Sequence, residues 1–131
     1  SGCPLSIALE VFGDKWTLLV LRDLLFKRAS TFKDFQASEE QIASNILADR
    51  LSRLTSAGII TSARSPQDAR VILYRPTTKG LDLLPVLCEA ILWATRYEKT
   101  AAPPKLLKRI REDRDAFIET VRQQFSTDRE T

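Results

Sequence analysis

The side chains best suited to hydrogen-bond chemistry lie on one side of the segment from residue 44 to residue 57. Leu47, Leu51 and Leu54 recur at intervals of four and three, which predicts a helix with one apolar face. The outward positions of this helix carry amide, carboxylate, hydroxyl and guanidinium groups, on Asn45, Asp49, Ser52 and Arg53, and they are flanked by Ser44, Ala48 and Arg50. Asparagine can bind adenine through two hydrogen bonds, aspartate can accept from cytosine, and serine or arginine can reach bases or phosphates. The face could therefore read base edges, although any surface helix also has a polar outer side.

A second group of polar side chains, Arg64, Gln67 and Arg70, lies near the tip of a predicted hairpin. Residues 43–75 contain five arginines and two aspartates, so this stretch carries a net charge of +3, equal to that of the whole chain. A basic patch of this kind is typical of phosphate binding, but it also occurs on ordinary surfaces. Two of the arginines have a structural alternative. Arg50 could pair with Glu39, Glu40 or Asp49, and Arg75, beyond the tip, is expected to be a surface charge.

The composition argues against catalysis. The chain has no histidine, which removes histidine acid–base chemistry, Ser–His and Cys–His pairs and most zinc sites. Its four glycines are scattered, so no phosphate-binding glycine loop is present. We expect no enzyme, no cofactor and no metal. No signal peptide and no membrane span are visible, and a cytoplasmic protein is expected.

The two cysteines, Cys3 and Cys88, are far apart and form no CxxC pair. Cys3 comes directly before Pro4 at the start of a predicted helix, where the helix dipole favours a thiolate. Packing is the first interpretation of this cysteine, and a redox or electrophile sensor is the second. Cys88 lies on an apolar helix and is expected to be an inert buried thiol.

Periodicity and turn residues predict the elements that position these groups. Helices are expected from Pro4 to Phe12, from Lys15 to Phe26, after an N-cap at Thr31, and from Ser44 to Ala57. A two-stranded hairpin follows, with strands at about 59–64 and 71–74. A fifth helix, kinked at Pro85, is expected from Thr77 to about Tyr97, and a last one from Lys105 to Phe125 after a linker at residues 100–104.

This order predicts a mainly α protein with a two-stranded β-hairpin, which is the winged helix-turn-helix arrangement. The major groove of DNA is about 12 Å wide and admits one helix, so the helix at 44–57 would read bases. The hairpin at about 60–75, called the wing, would bind the backbone or the minor groove. We expect a DNA-binding domain over residues 1–99, and a linker with an amphipathic C-terminal helix over residues 100–131. The alternative is a winged-helix module that binds protein and not DNA.

Several motifs resemble the HxlR-type family of bacterial transcription regulators. The first is Cys3-Pro4, followed by Ala8-Leu9 and by Gly13-Asp14-Lys15-Trp16 leading into Leu18 to Leu25. The second runs from Ile42-Ala43 through Leu47, Arg50-Leu51 and Leu54 to Gly58-Ile59-Ile60, and the third is the Tyr74, Thr77 and Gly80 box followed by Pro85. Phe32 and Phe35 resemble the family's third helix, and Trp93 matches a late aromatic residue. Three positions depart from the pattern: Asp14 replaces a usual Gly, Leu73 a frequent Glu and Pro76 a frequent Leu.

The resemblance covers residues 3–97 and implies a cytoplasmic bacterial regulator of transcription. It implies a homodimer, held by the terminal helices, that binds double-stranded DNA at a pseudo-palindromic operator. Some members with a matching N-terminal cysteine respond to quinones, aldehydes or oxidants, which the resemblance extends to Cys3. The departures at Leu73 and Pro76 lie at the base of the wing. The helix at 105–125 lies beyond the usual end of the family and is expected to be a dimer contact or an intramolecular brace.

Overall fold

The computed structural model describes residues 2–130, and the chain divides into two compact units, the first ending at Gly80 and the second beginning at Leu81. The outer limits of the predicted domains, Ser1 and Thr131, lie outside the described residues. The predicted boundary after residue 99, between a DNA-binding domain and the linker with its C-terminal helix, stays a prediction.

The first unit begins with four helices, whose positions follow the predicted ones closely. They are α1 (Pro4–Phe12), α2 (Lys15–Leu25), α3 (Phe32–Gln36) and α4 (Ser44–Ser56). Helix α2 is apolar nearly all round, and it supplies the buried side chains Val20, Leu21, Leu24 and Leu25. Helices α3 and α4 pack against it. They close this core with four buried side chains, Phe35, Leu47, Leu51 and Leu54.

An antiparallel hairpin follows α4 and forms the wing. Its strands are β1 (Ile60–Arg64) and β2 (Ile72–Pro76), and Ser62 lies directly opposite Tyr74. Helix α4 ends in a turn that needs Gly58, because its φ of +73° is strained for other residues. The backbone N–H of Tyr74 donates to the carbonyl of Ser30 at 2.7 Å, which ties the wing to the loop before α3. The described chain is therefore mainly helical with one two-stranded wing, as predicted.

The helix predicted from Thr77 to Tyr97 is wrong in one respect, because the structure has two helices there. They are α5 (Thr78–Leu81) and α6 (Leu84–Tyr97). Proline lacks an N–H group, and its ring collides with the carbonyl four residues earlier, so Pro85 lies in the first turn of α6 and does not merely kink a longer helix. Gly80 lets α5 approach the carbonyl of Ile59 so closely that any Cβ atom would collide with it.

The single helix predicted from Lys105 to Phe125 is also wrong. The second unit contains α7 (Pro104–Glu112) and α8 (Arg114–Glu130), separated at Asp113. Asp113 leaves the helical conformation, and its carboxylate accepts the N–H of Ala116 at 3.0 Å, so it caps the start of α8.

The charged side chains of α7 make contacts of three kinds. Lys108 lies 3.9 Å from Glu112. Arg109 lies over the Phe117 ring, and Arg111 donates to Thr95 at 3.4 Å. The two helices are amphipathic, and they bury four apolar side chains, Ile110, Phe117, Val121 and Phe125.

Among the described residues, no helix combines the length and the apolar character needed to span a bilayer.

Candidate nucleic-acid interface

Helix α3 is fixed by a capping box. The hydroxyl of Thr31 accepts the N–H of Asp34 at 3.1 Å, and the Asp34 carboxylate accepts the N–H groups of Thr31 and Ser30 at 3.1 and 3.0 Å. The hydrogen bond from Ser30, followed by those from Thr31, outweighs partial burial and lowers the pKa of Asp34. The first helix of the pair thus starts at a defined residue.

The turn between α3 and α4 is held by Arg22 of α2. Its guanidinium binds both oxygens of Glu40, at 2.7 and 2.8 Å, and it also donates to Ser38 at 3.1 Å and Asp23 at 2.8 Å. The hydrogen bonds from Arg22 and Ser38 hold the pKa of Glu40 far below its ordinary value. Glu40 is therefore paired with Arg22, whereas Arg50 is paired with Asp14 and Asp49. This anchor holds the turn that leads into α4, and no local sequence pattern indicates it.

The outward face of α4 has the composition that the sequence predicts. Leu47, Leu51 and Leu54 are buried, whereas five of the predicted contact residues are exposed: Ser44, Asn45, Asp49, Ser52 and Arg53. The side chain of Gln36 donates to the hydroxyl of Ser44 at 3.0 Å, so the end of α3 touches the start of α4.

A chain of ion pairs runs along α4 and back to the start of α2. Arg50 Nε lies 2.8 Å from Asp14 Oδ2, and its Nη1 lies 2.5 Å from Asp49 Oδ2. That same aspartate oxygen is 3.0 Å from Nε of Arg53. Only 18% of the Arg50 side chain is exposed, compared with 71% for Arg53. Arg50 thus has structural partners, and its predicted contact with DNA stays a prediction.

Asp14 holds two elements together. Its carboxylate accepts the N–H of Thr17 at 3.2 Å, which caps α2, and it accepts from Arg50 of α4. Partial burial opposes ionisation of this carboxyl, but the hydrogen bonds from Arg50 and Thr17 outweigh it and lower the pKa of Asp14 to about 2. Sequence reasoning missed this role, because Asp14 and Arg50 are 36 positions apart.

The wing tip carries the other predicted residues, and its contacts are local. Arg64 donates to the carbonyl of Ala69 at 2.7 Å, and Arg70 binds Asp68 at 3.0 Å with 90% of its side chain exposed. Gln67 is exposed and accepts a hydrogen bond from Ser65 at 3.0 Å. These three predicted residues lie near the wing tip, and all three are exposed.

The two cysteines have opposite environments. Cys3 is exposed at the N-cap of α1, beside a shallow groove of roughly 430 Å³ that Leu5 and Leu9 also line. Cys88 is buried in α6, and its burial raises the pKa of its thiol to about 11. In the part of the chain that the structure describes, no three acidic, cysteine or histidine side chains gather into a metal site.

Sequence comparison finds related regulators. A model of the HxlR-like helix-turn-helix family matches residues 11–102. The chain is 28% identical over 96 residues to YvaP, an uncharacterized HTH-type transcriptional regulator of Bacillus subtilis, and the match covers 72% of this chain and 88% of YvaP. It is 27% identical over 96 residues to the HTH-type transcriptional regulator YodB of the same organism, covering 72% and 85% of the two chains.

Solved structures share the fold. The structure of PA1607 matches with a TM-score of 0.70 and 33% identity, covering 79% of this chain and 70% of that one. The reduced form of YodB from B. subtilis matches with a TM-score of 0.60 and 27% identity, covering 74% of this chain and 95% of YodB. Structures of YodB treated with diamide and bound to quinone also match.

Proposed function

The chain belongs to the family of HxlR-like helix-turn-helix proteins, and we propose that it regulates transcription by binding duplex operator DNA as a homodimer. The observation that carries the proposal is the polar outer face of α4, fixed at its start by the Arg22–Glu40 anchor and followed directly by the wing. Such a helix can enter the major groove while the wing follows the backbone.

The residues of α4 divide by the contacts that they can make. Asn45 and Arg53 are the proposed base readers, and Asp49, Ser44 and Ser52 flank them. We assign Arg50 a positioning role, because its guanidinium bridges Asp14 and Asp49.

On the wing, Arg64, Gln67 and Arg70 are proposed to contact phosphates or the minor groove. Their exposure and their position near the tip support this assignment.

Salt dependence tests DNA binding against the alternative of a module that binds only protein. Neutralising phosphates releases counterions, so the affinity for duplex DNA should fall steeply as salt rises. The measurement is the fluorescence anisotropy of a labelled mixed-sequence duplex over a series of salt concentrations. Absence of binding at low salt would favour the protein-binding alternative.

The homodimer is proposed from exposed apolar surface. Helix α1 buries none of its residues, and Leu5 is 66% exposed, with Ile7 and Leu9 at 51%. In the second unit, Trp93 and Tyr97 of α6 are each 65% exposed. Monomeric proteins seldom leave such surfaces uncovered, and a two-fold dimer would place half-site centres about 10 base pairs, or a multiple of that, apart.

Light scattering at micromolar concentration tests the dimer. We expect twice the chain mass for the wild type and a shift toward the single-chain mass for Leu9→Arg. Glu39→Arg, at an exposed position outside α1, is the control and should leave the dimer intact. A monomeric wild type that still binds operator tightly would contradict the proposal. The same measurement on a chain ending before Lys105 would decide whether the C-terminal helices contribute to the dimer.

We also propose that the protein acts in the bacterial cytoplasm and that its Cys3 responds to oxidants or electrophiles. Its exposure at the N-cap of α1 and the similarity to YodB, whose structures include diamide-treated and quinone-bound forms, support this. With diamide, the Cys3 thiols of two subunits would lose two protons and two electrons to form a disulfide, and diamide would become the hydrazine. With a quinone, the thiolate would add to the ring, which takes up a proton to give the hydroquinone thioether.

Titration of DNA affinity against diamide and against a quinone tests the sensor. Wild type and Cys88→Ser should respond, whereas Cys3→Ser should not, because the Cys88 thiol is buried and its pKa is raised. Equal responses of wild type and Cys3→Ser would contradict the sensor and leave packing as the role of Cys3.

A further inference from the structure

A groove of roughly 310 Å³ lies between α4 and the wing. It is lined by five hydroxyl-bearing residues, Ser52, Thr55, Ser56, Ser62 and Tyr74, together with the apolar side chains of Phe32, Ala48 and Leu51. No carboxylate is among these lining residues. The groove therefore offers hydrogen-bond donors without the negative charge that would repel an anion.

The hydroxyl-bearing residues of the groove come from two elements, α4 and the wing. Ser52 and Ser56 lie one turn apart on α4, and Ser62 and Tyr74 are direct cross-strand partners, so they share one face of the wing. The Thr55 hydroxyl is already used, since it donates to the carbonyl of Leu51 at 2.7 Å. Within the described chain, the hydroxyls of Ser52, Ser56, Ser62 and Tyr74 make no hydrogen bond to protein.

The geometry of B-DNA indicates what this groove can hold. One sugar–phosphate backbone separates the major groove from the adjacent minor groove. A protein that places α4 in the major groove and the wing tip in that minor groove must let this backbone pass between them. We propose that the groove holds this backbone, with hydroxyls of Ser52, Ser56, Ser62 and Tyr74 donating to phosphate oxygens. The proposal rests on the proposed DNA-binding function and adds Ser56, Ser62 and Tyr74 to its contact residues.

Neutral donors give this contact a distinct signature. A hydroxyl binds a phosphate without neutralising it, so its loss lowers affinity and leaves the salt dependence unchanged. A phosphate also carries no sequence information, so operator and mixed-sequence DNA should lose affinity by the same factor. Loss of a wing arginine would instead reduce the salt dependence, and loss of a base reader would change sequence preference.

The test is a triple variant, Ser56→Ala, Ser62→Ala and Tyr74→Phe, compared with wild type by anisotropy over a salt series. The probes are a labelled mixed-sequence duplex and the duplex that random-site selection with the wild type enriches. Tyr74→Phe keeps the ring that packs edge-on against Phe35 at 6.2 Å. Thr61→Val is the matched control, because Thr61 precedes Ser62 on β1 and lies on the opposite face.

We expect the triple variant to bind both duplexes about tenfold or more weakly, with an unchanged salt slope, and the control to bind like the wild type. If the triple variant does not fold, as judged by thermal melting, the three single variants replace it, and each should weaken binding about twofold to threefold. Wild-type affinity in the variants, or a reduced salt slope, would overturn the proposal. If the wild type binds neither duplex, the proposed DNA-binding function itself fails.

Discussion

Helix α4 and the wing both present arginines to solvent, but they hold them in different ways. On α4, Arg50 is mostly covered, and it connects Asp14 of a distant element to Asp49, which in turn holds Arg53. On the wing, Arg64 and Arg70 bond only to groups within a few residues, and Arg70 is almost fully exposed. Reading bases requires side chains in fixed positions, whereas attraction to phosphates requires only positive charge near the backbone. The difference predicts separate functions for the two regions.

The largest effects are expected on α4. Asn45→Ala and Arg53→Ala should each cost about 1–3 kcal/mol of operator binding, because a base edge loses its hydrogen-bond partner. The loss should be much smaller on mixed-sequence DNA, so sequence preference relaxes. Competition binding with the two duplexes measures this ratio, and Lys33→Ala on α3 provides a charge-matched control for Arg53. Wild-type operator binding by both variants would show that α4 does not read the site.

The wing should respond to salt and not to sequence. Arg64→Ala and Arg70→Ala should weaken binding to all duplexes, and each should reduce the slope of log affinity against log salt by about 0.9. The measurement is the same anisotropy series used for the wild type. Asp68→Asn is the complementary variant, because it removes the partner of Arg70 and should not reduce the slope. A change in sequence preference after loss of either arginine would mean that the wing reads bases.

The ion pair between Asp14 and Arg50 should contribute a modest coupling free energy to the stability of the fold. In a double-mutant cycle with Asp14→Asn and Arg50→Gln, we expect a coupling of about 0.5–1 kcal/mol in the free energy of unfolding. Asparagine is also a good N-cap, so Asp14→Asn leaves the start of α2 capped while it removes the charge that faces Arg50. Chemical denaturation of the four proteins gives the result, and zero coupling would mean that the pair does not stabilise α4.

The smallest expected effect is a dependence on pH. The pKa of Asp14 falls from 3.8 in the unfolded chain to about 2 in the fold, so its contribution to stability is complete above the unfolded value and disappears as the pH falls through about 2. The difference in unfolding free energy between wild type and Asp14→Asn should therefore shrink as the pH is lowered across this window. A difference that stays constant would show that the Asp14 carboxylate has no favourable partner in the fold.

Local patterns predicted most of the elements, but they did not predict the long-range contacts between them. The leucine spacing gave α4 and its outward face, and Thr31 and Gly58 marked helix ends, because each of these signals depends on neighbouring residues. The Arg22–Glu40 anchor joins residues 18 positions apart, and the hydroxyl groove brings Ser56 close to Tyr74; no local pattern encodes either contact. The helix break at Asp113 was missed because its flanking apolar residues keep one helical period.

The claim that α4 selects DNA sequence is tested most directly by random-site selection with the purified wild-type protein and with Asn45→Ala. We expect the wild type to enrich a pseudo-palindrome whose half-site centres lie about 10 base pairs, or a multiple of that, apart. The variant should enrich the same spacing with a relaxed preference at one position in each half-site. Failure of the wild type to enrich any sequence, or an identical enriched site for both proteins, would contradict the account.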